Sequence, residues 1–229
     1  MYIINYKDFE EVKYYSGIAI SNVNHNIEYD IRKYVNLIPD RDFEGKIESE
    51  EKIREYIRYY YINVLSKLDP YKVYSELKCD RLVTFGDGEF SHGYIVAAWL
   101  ELYLGVDVKC VNQVEVNKKL VDVKPKWTMD ILEDEIKKTI DNMKGFNSIM
   151  ALYLFNQGEE LEGKAYELEN KILNDKSLTK ERIYKLSDTA NSYRQSACFR
   201  RCDADMAEDE WRERRYKLIE ETKRKQRKK

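Results

Sequence analysis

One stretch near the middle of the chain constrains the fold most strongly. A β-favouring run at residues 81–85 is followed by a glycine-punctuated segment, residues 86–93, and then by the apolar run at residues 94–104. Residues 94–104 predict a strongly apolar helix, and Gly105 is placed to end it. Strands that alternate with such helices predict an α/β layer.

Further strands and a helix surround this stretch. Residues 2–6, 17–20 and 106–111 have the short β-rich pattern of strands. Apolar residues at helical spacing, among them Ile53, Ile57 and Val64, predict a long helix that Asp69 and Pro70 end. Strands separated by helices of this length predict a small, partly parallel sheet with flanking helices. We assign this α/β domain to residues 1–124.

The pattern changes at Pro125, beyond which no run favours a strand. Residues 125–229 predict an all-helical region, packed on the α/β domain as an extension. Thr128 is expected to cap its first helix, and the apolar run at residues 146–155 predicts a buried helix that Gly158 ends. A third helix is expected over the face formed by Leu161, Ala165, Leu168 and Ile172. A fourth is expected from Thr179, ahead of a separate last helix that runs from acidic to basic.

The basic end of the chain has two interpretations. Residues 212–229 contain ten basic and three acidic residues, although the whole chain has a formal net charge of −2. An acidic start and a basic finish match the helix macrodipole, which favours a solvated helix. A tail that contacts phosphates is the alternative, and it is the less favoured because the chain lacks the overall positive field of a nucleic-acid-binding protein.

Composition limits the class of protein. The apolar runs are shorter than a membrane span requires, and the start of the chain has no secretory pattern, so we expect a cytoplasmic protein. The four cysteines are then expected to be reduced. Cys198 and Cys202 share a helical face, but without a second pair they indicate partly buried thiols rather than zinc ligands. We expect no metal and no cofactor.

Nineteen tyrosines favour a protein that binds a partner. Tyrosine combines a large, stiff contact area with a polar tip and is enriched at interfaces. Three successive helical residues point in different directions, so at least one of Tyr59, Tyr60 and Tyr61 should lie at a surface. The candidate partner-contact or RNA-contact residues are Tyr14, Tyr15, Tyr29, Tyr34, Tyr59, Tyr60, Ser91, Tyr94, Trp211, Arg224 and Lys225.

The segment around Ser91 resembles a known family of bacterial α/β proteins. Residues 82–100, together with residues 64–70, are similar to a family of unknown function that is marked by Phe-Cys-His-Arg and then Val-Ala-x-Trp-Leu. At the Cys and Arg positions this chain has Ser91 and Gly93. A thiol with a neighbouring Arg could serve as an activated nucleophile with an anion clamp, and both are missing here. Ser91 beside His92 could restore nucleophilic catalysis, but adjacent residues seldom form the necessary hydrogen bond. We therefore expect no catalytic residues. The alternative is that the chain is an enzyme of that family, a hydrolase or transferase that acts on a small or nucleotide-like substrate.

The whole chain resembles a second family. From residues 1–6 through residues 211–217 to the end, it is similar to the anti-CRISPR proteins of Listeria phages that inhibit the type VI-A CRISPR effector, a crRNA-guided RNA nuclease. The resemblance implies a viral protein in the cytoplasm of the infected bacterium, monomeric when free. It further implies stoichiometric binding to the crRNA-loaded effector on its guide-exposed face, which blocks target RNA and nuclease activation. Tyrosine stacking and basic side chains would suit direct contact with guide RNA.

Overall fold

The computed structural model describes residues 1–6, 17–21, 32–40, 49–78, 81–85, 90–112, 122–140 and 142–226. These residues belong to two compact units, Met1–Asp141 and Asn142–Lys229. The first unit is α/β and the second is helical, so the predicted fold class is confirmed. The unit boundary follows Asp141 rather than Lys124, because the helix after Pro125 packs against two helices of the α/β unit.

The first unit is built on a five-stranded sheet in which every described pairing is parallel. The strand order is β3-β2-β4-β1-β5. The strands are β1 (Tyr2–Tyr6), β2 (Ile18–Ala19), β3 (Arg32–Lys33), β4 (Arg81–Phe85) and β5 (Lys109–Asn112). In the centre, Ile3 of β1 lies opposite Leu82 of β4 and Cys110 of β5. These three side chains are buried, as expected for parallel strands that are covered on both faces.

In the described part of this unit, four α-helices accompany the sheet. They are α1 (Glu50–Asn63), α2 (Pro70–Leu77), α3 (His92–Leu104) and α4 (Trp127–Thr139), with 3₁₀ turns at Val35–Leu37 and Leu65–Lys67. Helix α3 is the most buried of them, and its first nine residues are all buried. It ends as predicted at Gly105, which has a left-handed φ of 65°. The apolar run therefore forms the central helix of the unit.

Helix α2 was not predicted from the sequence. Asp69 and Pro70 were expected to end the preceding helix, and they instead begin a new one. The Asp69 carboxylate accepts hydrogen bonds from the backbone N–H groups of Tyr71 and Lys72, and Pro70 occupies the first helical position. Pro is tolerated there because its missing N–H has no partner in a helix anyway. Strand β3 is too short to be recognised from its sequence.

The second unit consists of two long helices, α5 (Ile149–Asn174) and α6 (Lys180–Gln226). Four helices were predicted over the same residues, and that prediction is wrong. Gly158 does not end a helix: it lies within α5, where a Cβ atom would be 3.2 Å from the carbonyl oxygen of Ala197 on α6. A side chain here would crowd α6 where the two helices approach each other closely. Buried alanines of α6, Ala190, Ala197 and Ala204, are seven residues apart and continue the same close contact.

Candidate functional site

The N-terminus of α3 is the place where the sequence analysis put its most interesting residues. Ser91 is the N-cap residue, and its Oγ accepts a hydrogen bond of 3.2 Å from the backbone N–H of Gly93. The same hydroxyl donates to Oγ1 of Thr84 on β4, at 3.0 Å. Ser91 therefore caps α3 and attaches it to the sheet. Residues 86–89 of the preceding loop lie outside the described residues.

His92 makes a second attachment in a different direction. Its Nε2 lies 2.7 Å from the carbonyl oxygen of Ile20, directly after β2. A carbonyl only accepts, so this geometry assigns the proton to Nε2. The imidazole ring also packs against the ring of Tyr60 on α1, with 5.6 Å between centroids. The hydroxyl of Tyr60 in turn donates to the carbonyl of Leu37, at 2.7 Å. His92 thus connects α3 to β2 and to α1.

Neither Ser91 nor His92 has the arrangement of an activated nucleophile. The Ser91 hydroxyl is directed to Thr84, and the imidazole Nε2 of His92 is directed to Ile20. The nearby thiol of Cys110 lies 3.9 Å from the carbonyl oxygen of Gly93 and is buried. Burial raises the pKa of Cys110 far above its usual value, which disfavours the reactive thiolate.

Gly93 has a steric reason to be glycine. A Cβ atom at this position would lie 2.8 Å from Cγ2 of Ile3 and 2.9 Å from Cγ2 of Thr84. Real Cβ atoms do not approach other atoms so closely, so a side chain here would force β1 or β4 away from α3. The resembled family has Arg at this position. In this chain the space beside Gly93 is filled by Ile3 and Thr84.

Three predicted contact residues are corrected by their burial. Tyr60 is 0% exposed, Tyr94 is 4% exposed and Ser91 is 7% exposed. Their side chains serve the core of the first unit and are not accessible to a partner. Tyr59 precedes Tyr60 on α1 and is half-buried, whereas Tyr60 and Tyr61 are buried.

The remaining predicted residues are partly or fully accessible where they are described. Tyr34 is half-buried and donates to Glu76 at 2.7 Å; burial and then this hydrogen bond raise its pKa to about 12. Trp211 is half-buried, with the guanidinium of Arg215 over its ring at 5.3 Å. Arg224 is exposed, and Lys225 lies in α6. Tyr14, Tyr15 and Tyr29 lie outside the described residues.

Sequence reasoning missed a set of exposed aromatic and aliphatic side chains on the helices of the second unit. The accessible residues on α5 and α6 include Tyr166, Leu173, Tyr184, Phe199 and Met206. Each directly precedes or follows a buried or half-buried residue, so it points about 100° away from that residue around the helix. The second unit therefore carries large apolar side chains on its surface as well as in its core.

The second unit is held by polar contacts as well as by its alanine-lined core. At one end, the buried carboxylate of Glu208 accepts from the backbone N–H groups of Asn147 and Ser148, at 2.8 and 2.9 Å. Burial acts to raise the pKa of Glu208, but these hydrogen bonds outweigh it and hold the pKa below its usual value. Further along, Arg194 pairs with Glu169 at 2.7 Å.

Cys198 and Cys202 are both exposed, which corrects the expectation that they are partly buried. The neighbouring Cys198 raises the pKa of Cys202, because two thiolates side by side would repel each other. Within the described ranges, no group of three or more His, Cys, Asp or Glu residues is arranged to hold a metal ion. None of the helices described is both long and apolar enough to cross a membrane.

Comparisons of the chain with protein-family models, with curated proteins and with solved structures found no match in any of the three.

Proposed function

We propose that this chain is a non-catalytic binding protein that inhibits a crRNA-loaded type VI-A CRISPR effector by stoichiometric binding. One observation carries the non-catalytic part: the residues at the motif positions, Ser91, His92 and Gly93, are used in packing and in attaching α3 to the sheet. Nucleophilic catalysis would require the Ser91 hydroxyl and the imidazole to face a substrate together. The identity of the partner rests on the whole-chain resemblance.

The surface of the second unit supports a binding role. Tyr166 and Tyr184 are 63% and 72% exposed, and large aromatic side chains at a surface are typical of contact residues. The C-terminal part of α6 adds exposed basic residues, among them Arg214, Lys217 and Arg224. Aromatic stacking with basic side chains is suited to RNA, and acidic positions elsewhere on the chain are suited to basic protein surfaces. A partner made of protein and RNA fits both.

The first experiment is size-exclusion co-elution with the effector, with and without crRNA, followed by target-triggered RNA cleavage on the same fractions. We expect a complex that depends on crRNA, and cleavage that falls to zero at one equivalent of the chain. Full cleavage at an equimolar ratio refutes the proposal. Inhibition by far less than one equivalent would instead indicate an enzyme that modifies the effector or its RNA.

Matched variants separate a surface role from a folding role. Tyr166→Ser together with Tyr184→Ser removes exposed rings from the second unit, and Tyr71→Ser removes a ring that is 57% exposed in the first. We expect the double variant to weaken inhibition at least tenfold, a loss of about 1.4 kcal/mol, with Tyr71→Ser close to wild type. Equal effects of the two variants would argue against binding through the second unit.

The enzyme alternative is tested at Ser91. Ser91→Ala removes the hydroxyl and should cost about 1 kcal/mol of stability as a lost helix cap, while a folded sample keeps full inhibition. Loss of inhibition in the folded variant would favour catalysis.

Deletion of residues 224–229 tests the basic tail. A solvated helix end predicts little change, whereas phosphate contacts predict weaker binding with a shallower salt dependence.

A further inference from the structure

Three sulfur atoms are spaced along one face of α6. Cys198 and Cys202 are one helical turn apart, and both are exposed. Met206 follows one turn later and is 64% exposed. Residues four apart on a helix are neighbours on its surface, so the two thiols and the thioether form a continuous row.

The two thiols are not positioned to form a disulfide with each other. Side chains four apart on a helix have Cβ atoms roughly 5–6 Å apart, whereas a disulfide needs roughly 3.5–4.5 Å. Oxidation within the pair would therefore require distortion of α6. In a reducing environment both sulfurs stay available to a ligand.

The number and type of donors select the class of ligand. Structural zinc is almost always held by four ligands. Within the described part of the chain, Cys198 and Cys202 belong to no group of three or more His, Cys, Asp or Glu residues that could hold a metal ion. The pair therefore does not fit a structural zinc site. Hard cations such as Ca²⁺ prefer oxygen. Thiolate and thioether donors select soft cations, of which Cu(I) is the typical example and accepts few ligands.

We propose that Cys198 and Cys202 form a surface site for one thiophilic monovalent cation of the Cu(I) type, with the Met206 thioether as an adjacent third donor. Binding releases two thiol protons to solvent and adds one positive charge, so the net charge of the chain falls by one. No change of oxidation state is involved. The site is separate from the inhibitory function proposed above and does not depend on it.

The test is a competition titration of the full-length, reduced chain under anaerobic conditions. Cu(I) is supplied as its complex with bicinchoninate, whose absorbance falls as the protein removes the metal. We expect one equivalent to be removed by the wild type. Because the second thiol binds within the same molecule, Cys198→Ser or Cys202→Ser should each weaken binding by about a hundredfold. Met206→Leu keeps the shape and removes only the thioether, so we expect a smaller loss.

The double variant Cys198→Ser/Cys202→Ser is the decisive control, since it retains Cys79 and Cys110. All substituted positions are exposed, so far-UV circular dichroism should report an unchanged helix content. Wild-type affinity in this variant would assign the metal to the other cysteines and overturn the proposal. Failure of the wild type to compete for Cu(I) would do the same. If the same cysteines held one equivalent of Zn²⁺ more tightly than Cu(I), the proposed site of two thiols for a Cu(I)-type cation would be overturned.

Discussion

Replacing Glu208 by Gln should destabilise the second unit substantially. The Glu208 carboxylate is 4% exposed and accepts three hydrogen bonds, from the backbone N–H groups of Asn147 and Ser148 and from Nδ2 of Asn147, at 2.7–2.9 Å. Its negative charge also lies at the N-terminus of α5, where the helix dipole favours an anion. Gln keeps the shape but turns one acceptor into a donor that faces other donors.

The expected loss is about 2 kcal/mol, since a hydrogen bond to a charged group contributes roughly 1.5–3 kcal/mol. For a unit of this size, that corresponds to a fall in melting temperature of about 10 °C. The assay is thermal and urea unfolding followed by circular dichroism at neutral pH. Glu210→Gln is the matched control, because Glu210 is two residues away on the same helix and exposed. We expect it to change stability by less than about 0.5 kcal/mol.

The acid dependence of stability provides a second measurement on the same variants. The folded-state pKa of Glu208 is held below its usual value, so the unfolded state binds a proton more readily. The stabilisation is fully present above the unfolded pKa, about 4.3, and is lost as the pH falls through the folded pKa. Glu208→Gln should lose stability less steeply over that acidic range than wild type. Equal unfolding midpoints for the two Gln variants, or identical acid dependence with wild type, would refute this role of Glu208.

Three further experiments test contacts at His92, at two glycines of α5 and at Asp69. His92→Ala removes a buried hydrogen bond and leaves a cavity beside α1, so the free energy of unfolding measured in urea should fall by about 3 kcal/mol. A fall of less than about 1 kcal/mol would contradict the role of His92 in attaching α3 to β2. A Cβ at Gly163 would meet no atom within 4 Å, so Gly163→Ala should raise the stability of the second unit by up to about 1 kcal/mol. Gly158→Ala should gain less or destabilise, because its Cβ would meet Ala197. A larger gain at Gly158 than at Gly163 would contradict the close helix contact. Asp69→Ala should lower the free energy of unfolding by about 1 kcal/mol, because it removes the cap of α2. The measurement is urea unfolding, with Lys72→Ala as a control that removes an exposed charge. An unchanged free energy of unfolding would mean that the cap is dispensable.

The elements that the sequence predicted well are those whose pattern is complete within a few residues. Strands β1 and β4 and the buried helix α3 match their predicted positions closely, because β-branched runs and an unbroken apolar segment leave no exposed alternative. Gly105 was also predicted correctly, since a left-handed residue at a helix end is a local requirement. Helix α2 was missed because Asp-Pro is equally typical of a helix end and of a helix start.

The candidate site was predicted in part. The sequence indicated that Ser91 and Gly93 replace the reactive residues of the resembled motif, and that observation needs no coordinates. It could not indicate that Ser91 binds Thr84 or that His92 binds Ile20, because both contacts depend on how α3 packs against the sheet and not on a local pattern. For the same reason, Tyr60 and Tyr94 were predicted at a surface and lie in the core.

The sequence by itself determined the fold class and the helical character of the second half, because both follow from local hydrophobic periodicity. Tertiary structure decided which glycines end helices and which permit close packing, which tyrosines are buried, and where the first unit stops. Gly158 illustrates the difference: its effect on α5 depends on Ala197, almost forty residues away, and no local pattern contains that contact. Burial and pairing are properties of the folded chain, so only the folded chain reveals them.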